Sequence, residues 1–456
     1  MIFHRVLHLL LQFKKIYIRY NILQNILLIM ACFTLNNYIF KKLKIEDIKF
    51  YLLTIFIIIF NLSLIYIAYC NAKKLGFSDG LLYGQVGNNL YYDSYGYYYQ
   101  SKIVSDLWKN RNFISYFTGG IEKKYIDRGI YNYFILWNSL LNILFGNDLN
   151  SLIIIKYQFS IISNLFLYKI SNEFLQPKYS RIVVLLMNLY PGFIYINIDL
   201  MRDNIILFLI LFASYLVIVN NNQDNKNNEF KIWKLFIFLI GIITYIRIYI
   251  GILLGLTLII YYLYDKLSLK KIIQLIILII AIIFIVGKIT EFMGYGFLAV
   301  NILSNKENIE LGRWQPYKAN SPIKLILWSL YFVFTGGRAN ISNIYINSLF
   351  EILNTISPIF IIIFIMPTFL IFLFKNKKQN KKIILFSFLY SSASAIVVFY
   401  YFTGIIPRLY ICWLWTQLII FGMVLENITK LSKNIKLICK IEYIIFIIFC
   451  VTIFTK

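Results

Sequence analysis

Long apolar stretches recur along this chain, and they decide what it can fold into. Two of them, LIILIIAIIFIV (275–286) and IFIIIFIMPTFLIFLF (359–374), are apolar on every side. A helix needs about 20 mostly apolar residues to cross roughly 30 Å of hydrocarbon, and strands of a membrane barrel would instead alternate apolar and polar residues. With 60% hydrophobic residues and a mean hydropathy of +0.71, the chain is predicted to be an all-α polytopic membrane protein.

The apolar stretches predict about eleven transmembrane helices, within a range of about ten to thirteen. They are 50–70, 151–170, 180–198, 203–220, 232–246, 249–264, 272–288, 349–374, 383–402, 408–425 and 441–455. Residues 22–40 are also apolar, but Asn25 and Asn36 interrupt them. This segment is compatible with either an interfacial helix or a membrane span.

Lysine-rich links predict the side of the membrane on which each loop lies. The link KNKKQNKK (375–382) is an example, and the positive-inside rule places such links in the cytoplasm. Residues 71–150 then form a large first extracytoplasmic loop that carries surface helices. The predicted organisation is a cytoplasmic or interfacial segment 1–49, a membrane module 50–288 that includes this loop, an outer loop 289–348 with surface helices, and C-terminal membrane helices 349–456.

The arginines follow the opposite pattern to the lysines. Four of them, Arg202, Arg247, Arg338 and Arg408, are predicted at outer helix ends or breaks. Arginine binds phosphate oxygens through a planar fork and is less strongly hydrated than lysine. An anionic, lipid-linked ligand on the outer side fits this pattern, although single arginines also snorkel to lipid headgroups. Lys156 lies inside a predicted span, and snorkelling is the simplest interpretation of it.

Carboxylates are the candidate groups for proton transfer. The only histidines are His4 and His8, so the base of an enzyme working near neutral pH would be an acid or an unusual Tyr or Lys. Asp93 opens the aromatic run DSYGYYYQSKIVSDLW, and Asp203 lies at a tight turn before an apolar stretch. Both acids also suit the first turn of a helix, where the macrodipole favours negative charge. Asp79, in GFSDG, is a further candidate in the first loop.

Other function classes have little support in the sequence. The net charge of +25 comes from lysine clusters between apolar segments and not from one basic domain, which argues against nucleic acid as a partner. The five cysteines show no CxxC and no framework spacing, so neither a disulfide nor a metal site is predicted. No GxxxxGK[ST] loop occurs, which leaves direct ATP coupling unsupported.

The pattern of these residues resembles the GT-C class of membrane glycosyltransferases, including the protein-mannosyltransferase-like and aminoarabinose-transferase-like enzymes. The resemblance runs over roughly residues 50–425. Its parts are Asp93 early in the first outer loop, IYNYFILWNSLLNILFGNDLNSLIII (130–155), LYPGFIYINIDLMRDNIILFLIL (189–211), TYIRIYIG (244–251) and PRLYICWLWTQLIIFGMV (407–424). The chain departs from the family at Ser94, where a second acid is common, and in lacking the His or Lys-Pro pair before the Leu-Phe-Gly helix.

The resemblance implies an inverting transfer of a sugar from a polyprenyl-phosphate donor to a glycan or glycolipid acceptor. The setting implied is polysaccharide biosynthesis for the cell envelope, at the outer face of a bacterial cytoplasmic membrane. Asp93 would act as the base and Asp203 as a second catalytic acid. The tyrosines after Asp93 suit sugar binding and an interfacial aromatic belt equally well. No cofactor is certain, and a divalent metal stays open. The substrate-binding residues implied are Arg202, Arg247, Arg338, Arg408, Tyr95 and Asp79.

Two other functions compete with this interpretation. A repeat-unit polymerase of the Wzy type for O-antigen or capsule would use diphosphate-linked oligosaccharides, and the long late loop 289–348 favours it. A lipid or glycan transporter would show inverted repeats or paired broken helices. No clear internal repeat is present in the sequence.

Overall fold

The computed structural model describes residues 21–74, 76–77, 81–83, 93–110, 132–219, 226–265, 378–402 and 407–428, and single residues at 271, 274, 277, 353, 356, 357, 360, 361 and 444. Every regular element within these ranges is helical, which confirms the prediction of an all-α chain. The α-helices described are α1 Asn21–Lys42, α2 Ile48–Lys74, α3 Asp93–Lys109, α4 Tyr133–Phe145, α5 Leu149–Asn172, α6 Pro177–Leu189, α7 Pro191–Ile198, α8 Asp203–Ile218, α9 Lys226–Ile246, α10 Ile248–Leu263, α11 Lys378–Phe402 and α12 Pro407–Ile428.

Three of these helices are long and apolar enough to cross a membrane: Ile48–Lys74, Leu149–Asn172 and Leu409–Ile428. They agree with the predicted spans 50–70, 151–170 and 408–425. The apolar helices Asp203–Ile218 and Tyr249–Leu263 are shorter than the roughly 20 residues with which a helix crosses a membrane. The predicted spans 272–288, 349–374 and 441–455 lie almost wholly outside the described residues, so the number eleven stays a prediction.

The predicted span 180–198 is not one straight helix. It consists of α6 and α7, which are bent by 62° at Pro191. Proline has no backbone N–H and clashes with the preceding turn, so a helix ends before it and a new one begins at it.

Local capping fixes where α4 and α5 begin and end. Asn132 Oδ1 accepts a hydrogen bond from Phe134 N at 3.1 Å, and Asp148 Oδ2 accepts one from Ser151 N at 3.0 Å. Between the two helices, Gly146 takes a φ of 70° and ends α4 in the left-handed conformation that glycine adopts at little cost. The helix ending in Leu-Phe-Gly that the sequence predicts is therefore confirmed.

The asparagines that interrupt the apolar pattern of α1 have partners on α5. Asn36 is buried and forms a side-chain hydrogen-bonded pair with Gln158. Gln24 donates to Ser151 Oγ at 3.0 Å, and this hydroxyl also donates to Asn25 Oδ1 at 3.0 Å. Because these polar groups satisfy each other, the asparagines are compatible with a helix packed along an apolar neighbour.

The chain divides into two compact units. Unit 1 comprises Met1–Leu165, Phe193–Phe208 and Tyr345–Leu353, and unit 2 comprises Phe166–Gly192, Leu209–Ile344 and Asn354–Lys456. In unit 2, α12 buries Trp413 and Trp415 completely. Ser387 Oγ of α11 donates to Thr416 Oγ1 of α12 at 2.8 Å, so these two helices are joined by a polar contact as well as by apolar packing.

Candidate active site

The helix that begins at Asp93 presents an aromatic surface. Asp93 stands in the first turn of α3, as the sequence predicts, and is half-buried. The rings of Tyr95 and Tyr99 stack with centroids 5.8 Å apart and an interplanar angle of 6°. Tyr97 is buried edge-on against Phe134, with centroids 5.0 Å apart. Tyr97 therefore holds α3 to α4, whereas Tyr95 stays partly accessible.

Polar contacts lock α3 and α4 together below this aromatic surface. Ser139 Oγ donates to the carbonyl oxygen of Ser101 at 3.1 Å, and Asn142 Nδ2 donates to Ser101 Oγ at 3.1 Å. The hydroxyl of Tyr98 donates to the carbonyl oxygen of Asn147 at 3.0 Å. Burial, with a smaller contribution from nearby Asp148, raises the pKa of the Tyr98 phenol, so this hydroxyl stays protonated as a donor.

The turn between α7 and α8 carries two buried acids. Asp199 is 0% exposed and Asp203 is 3% exposed. Asp199 Oδ1 accepts a hydrogen bond from Leu200 N at 2.8 Å. The carbonyl oxygen of Arg202 accepts from Ile205 N at 3.1 Å and so begins α8. Asp203 stands in the first turn of that helix, where the positive end of the macrodipole stabilises its charge.

Arg202 joins this turn to the helix of Asp93. Its guanidinium carbon lies 6.0 Å from the centroid of the Tyr97 ring, at the outer limit of a cation–π contact. Two motifs that are far apart in sequence, the aromatic run after Asp93 and the turn before Asp203, thus meet in unit 1. This contact is the main geometric support for treating them as one site.

Lys156 is buried in the same unit and does not snorkel, so the simplest interpretation of its sequence position was wrong. The side chain is 1% exposed. Its ammonium donates to the carbonyl oxygens of Ile196 and Asp199, and to that of Asn197 at 3.3 Å. The only signal in the sequence was a charge inside an apolar stretch, which marks a candidate functional position in a membrane protein.

Arg247 lies in unit 2, at the break between α9 and α10. It has φ −147° and ψ 96°, an extended conformation between two helices. The side chain is 8% exposed, and Nη1 donates to the hydroxyl of Tyr249 at 3.5 Å. The sequence predicts an arginine at a break between two apolar helices, and Arg247 stands at such a break. Its burial was not predicted.

The remaining predicted site residues are less fully described. Arg408 stands in the first turn of α12, and its side chain is not among those described. Asp79 and Arg338 lie outside the described residues. In the part of the chain that the structure describes, no group of three His, Cys, Asp or Glu side chains is arranged to hold a metal ion.

A protein-family model supplies independent information on this chain. The model of the dolichyl-phosphate-mannose-protein mannosyltransferases matches residues 129–289, and no curated protein or solved structure matches significantly. The match includes Lys156, the turn with Arg202 and Asp203, and Arg247, and it leaves out Asp93. It confirms the resemblance to the GT-C class over these residues and supports, in general terms, a membrane glycosyltransferase that uses polyprenyl-phosphate sugars.

Proposed function

We propose that this protein transfers a sugar, with inversion, from a polyprenyl-phosphate donor to an acceptor hydroxyl in cell-envelope glycan or glycolipid synthesis. The reaction takes place on the extracytoplasmic side of a bacterial cytoplasmic membrane. The observation that carries this proposal is the contact of Arg202 with Tyr97 at 6.0 Å. It brings an arginine, a side chain suited to binding phosphate oxygens, close to the helix that begins at Asp93. The family match over residues 129–289 supports the class of reaction.

The proposed chemistry needs one base and one cationic group that stabilises the negative charge on the departing phosphate. Asp93 takes the proton of the acceptor hydroxyl as its oxygen attacks the anomeric carbon of the donor sugar. The bond from that carbon to the phosphate oxygen breaks, and the electron pair leaves with the polyprenyl phosphate. Arg202 stabilises the charge that develops on this phosphate. One carboxylate is enough for the single displacement, and the anomeric configuration inverts.

Burial separates the roles of the two acids. Asp93 is half-buried, whereas Asp203 is 3% exposed. A base must reach the acceptor, so the more accessible Asp93 suits that role. The enclosed Asp203 is better suited to a structural role, as a charged group that stabilises the turn of Arg202. Tyr95, partly accessible on the same helix, offers a flat, amphipathic ring on which a sugar ring stacks.

The test is turnover of defined donors by the purified protein in lipid nanodiscs. Mannose and other single sugars on polyprenyl monophosphate are supplied with a panel of alkyl glycoside acceptors. We expect acceptor-dependent release of polyprenyl phosphate, measured by mass spectrometry, and a product of inverted configuration, measured by NMR. A product of retained configuration would contradict the single displacement, and absence of turnover with every monophosphate donor would contradict the proposed reaction.

Replacing Arg202 by glutamine is expected to lower kcat/KM for the donor by about 10²–10³-fold, the usual loss when a donor to a developing oxyanion is removed. Arg202→Lys is expected to recover part of this loss, because it keeps the charge and loses the planar fork. The matched control is Arg181→Gln on α6, at the predicted cytoplasmic side. If Arg202→Gln and Arg181→Gln are equally active, Arg202 is not part of the site.

A further inference from the structure

A lysine buried within an apolar helix needs polar partners that replace the water its ammonium has lost. Lys156 is the eighth residue of Leu149–Asn172, a helix apolar enough to span a membrane, and it is 1% exposed. A lysine is almost never fully buried unless it is paired, and a charge within a membrane span usually serves function. The contacts of Lys156 show what it is paired with.

The ammonium of Lys156 caps the end of a neighbouring helix. Its acceptors are the carbonyl oxygens of Ile196, Asn197 and Asp199, which belong to the last turn of α7 and the residue after it. The last four carbonyl oxygens of a helix have no partner within that helix, and they carry the negative end of the macrodipole. A cation from α5 is therefore well placed to stabilise the end of α7 and the start of the next turn.

A chain of buried amides and hydroxyls holds the last turn of α7. Asn197 Oδ1 accepts from Ser160 Oγ and from Asn204 Nδ2, both at 2.8 Å, and Asn197 Nδ2 donates to Asn61 Oδ1 at 3.1 Å. All four side chains are 0% exposed. The last turn of α7 is thus joined to α2, α5 and α8 by polar contacts. Its position, and with it the start of the turn of residues 199–202, depends on a defined network and not on apolar packing alone.

The acceptors of Lys156 connect it to the candidate site along the chain. Asp199, whose carbonyl oxygen accepts from the ammonium, opens the turn of residues 199–202 that ends at Arg202. The acids that flank this turn, Asp199 and Asp203, are buried, whereas Arg202 is only partly buried and reaches Tyr97. A contact that holds the start of this turn therefore bears on the position of the guanidinium.

We propose that Lys156 is a positioning residue, which fixes the turn of residues 199–202 so that Arg202 meets the donor phosphate. This inference rests on the proposed glycosyl transfer. Lys156 does not touch the donor in this account and acts through Arg202. Its loss is expected to misplace the guanidinium, and a misplacement of about 1 Å costs about 10²-fold in rate.

A double-mutant cycle separates positioning from general support of the fold. Lys156→Met removes the charge at similar length, and we expect kcat/KM for the polyprenyl-phosphate donor to fall about 100-fold per folded molecule. Arg202→Gln alone is expected to lower kcat/KM for this donor by at least a similar factor. If Lys156 acts through Arg202, the double variant is no worse than Arg202→Gln alone. Two independent losses would instead multiply to about 10⁴–10⁵-fold.

Controls keep the result interpretable. Lys169→Met changes a lysine in the last turn of the same helix and is expected to keep native kinetics. Lys156→Gln retains donors for the carbonyl oxygens without the charge, and it replaces Lys156→Met in the cycle if the methionine variant does not fold. Multiplicative losses, or a Lys156 variant as active as the native chain, would overturn the positioning role while leaving the transferase intact. A native chain without turnover would overturn both.

Discussion

Replacing Asp93 by asparagine is expected to lower kcat for sugar transfer by about 10²–10⁴-fold, the usual contribution of a general base. The carboxylate is the group that takes the acceptor proton, and an amide cannot do so. Asparagine is close in shape to aspartate and is well tolerated at the start of a helix. Loss of the favourable charge at the N-terminus of α3 is expected to cost only about 0.3–1 kcal/mol of stability.

Asp106→Asn is the matched control for this variant. Asp106 lies on the same helix, and its carboxylate pairs with Lys109 at 3.4 Å in an ion pair whose side chains are 51% and 38% exposed. Exposed pairs of this kind contribute little to stability, so native activity is expected. If Asp93→Asn and Asp106→Asn have the same activity, Asp93 is not the base, and Asp79 becomes the acid to test in the first loop.

Gly251→Ala is expected to destabilise unit 2 by about 1–3 kcal/mol, the usual cost of overpacking. A Cβ at residue 251 would collide with Thr244, including its backbone nitrogen and, at 2.6 Å, its Cα. Backbone atoms cannot rotate away as a side chain can. The break at Arg247 would therefore have to open, since Gly251 N donates to the carbonyl oxygen of Arg247 at 3.1 Å.

Gly241→Ala is the control for the same helix pair. Gly241 lies on α9, and a Cβ there would have no atom within 4 Å outside its own helix. Alanine is favoured over glycine inside a helix by about 0.5–1 kcal/mol, so this variant is expected to match or exceed the native stability. Thermal unfolding in nanodiscs provides the comparison. Equal melting temperatures of the two variants would contradict the close approach of Thr244 and Gly251.

The helices could be predicted from the sequence because their signal is local. The predicted spans 50–70 and 151–170 correspond to the helices Ile48–Lys74 and Leu149–Asn172. The helices are a few residues longer than the predictions because they continue into the polar boundary. The bend at Pro191 was also readable in principle, since proline ends a helix wherever it falls. It was missed because the residues on both sides of it are equally apolar.

The contacts that build the site could not be predicted in the same way. Asp93 opens α3 as expected, but the contact of Arg202 with Tyr97 joins elements that no periodicity relates. The partners of Lys156 are carbonyl oxygens of another helix, and any residue supplies such an oxygen. Patterns in the sequence therefore predicted Asp93 and Arg202 as site residues, whereas the contacts of Lys156 became evident only from the fold.

The most direct test of the central claim compares two donor classes with the native protein, Asp93→Asn and Asp106→Asn, each purified at equal folded yield. One donor is a single sugar on polyprenyl monophosphate, and the other is an oligosaccharide repeat unit on polyprenyl diphosphate. The account predicts transfer from the monophosphate donor by the native chain and Asp106→Asn, and its loss in Asp93→Asn. Polymer formed only from the diphosphate donor, and unchanged in Asp93→Asn, would contradict it and indicate a repeat-unit polymerase.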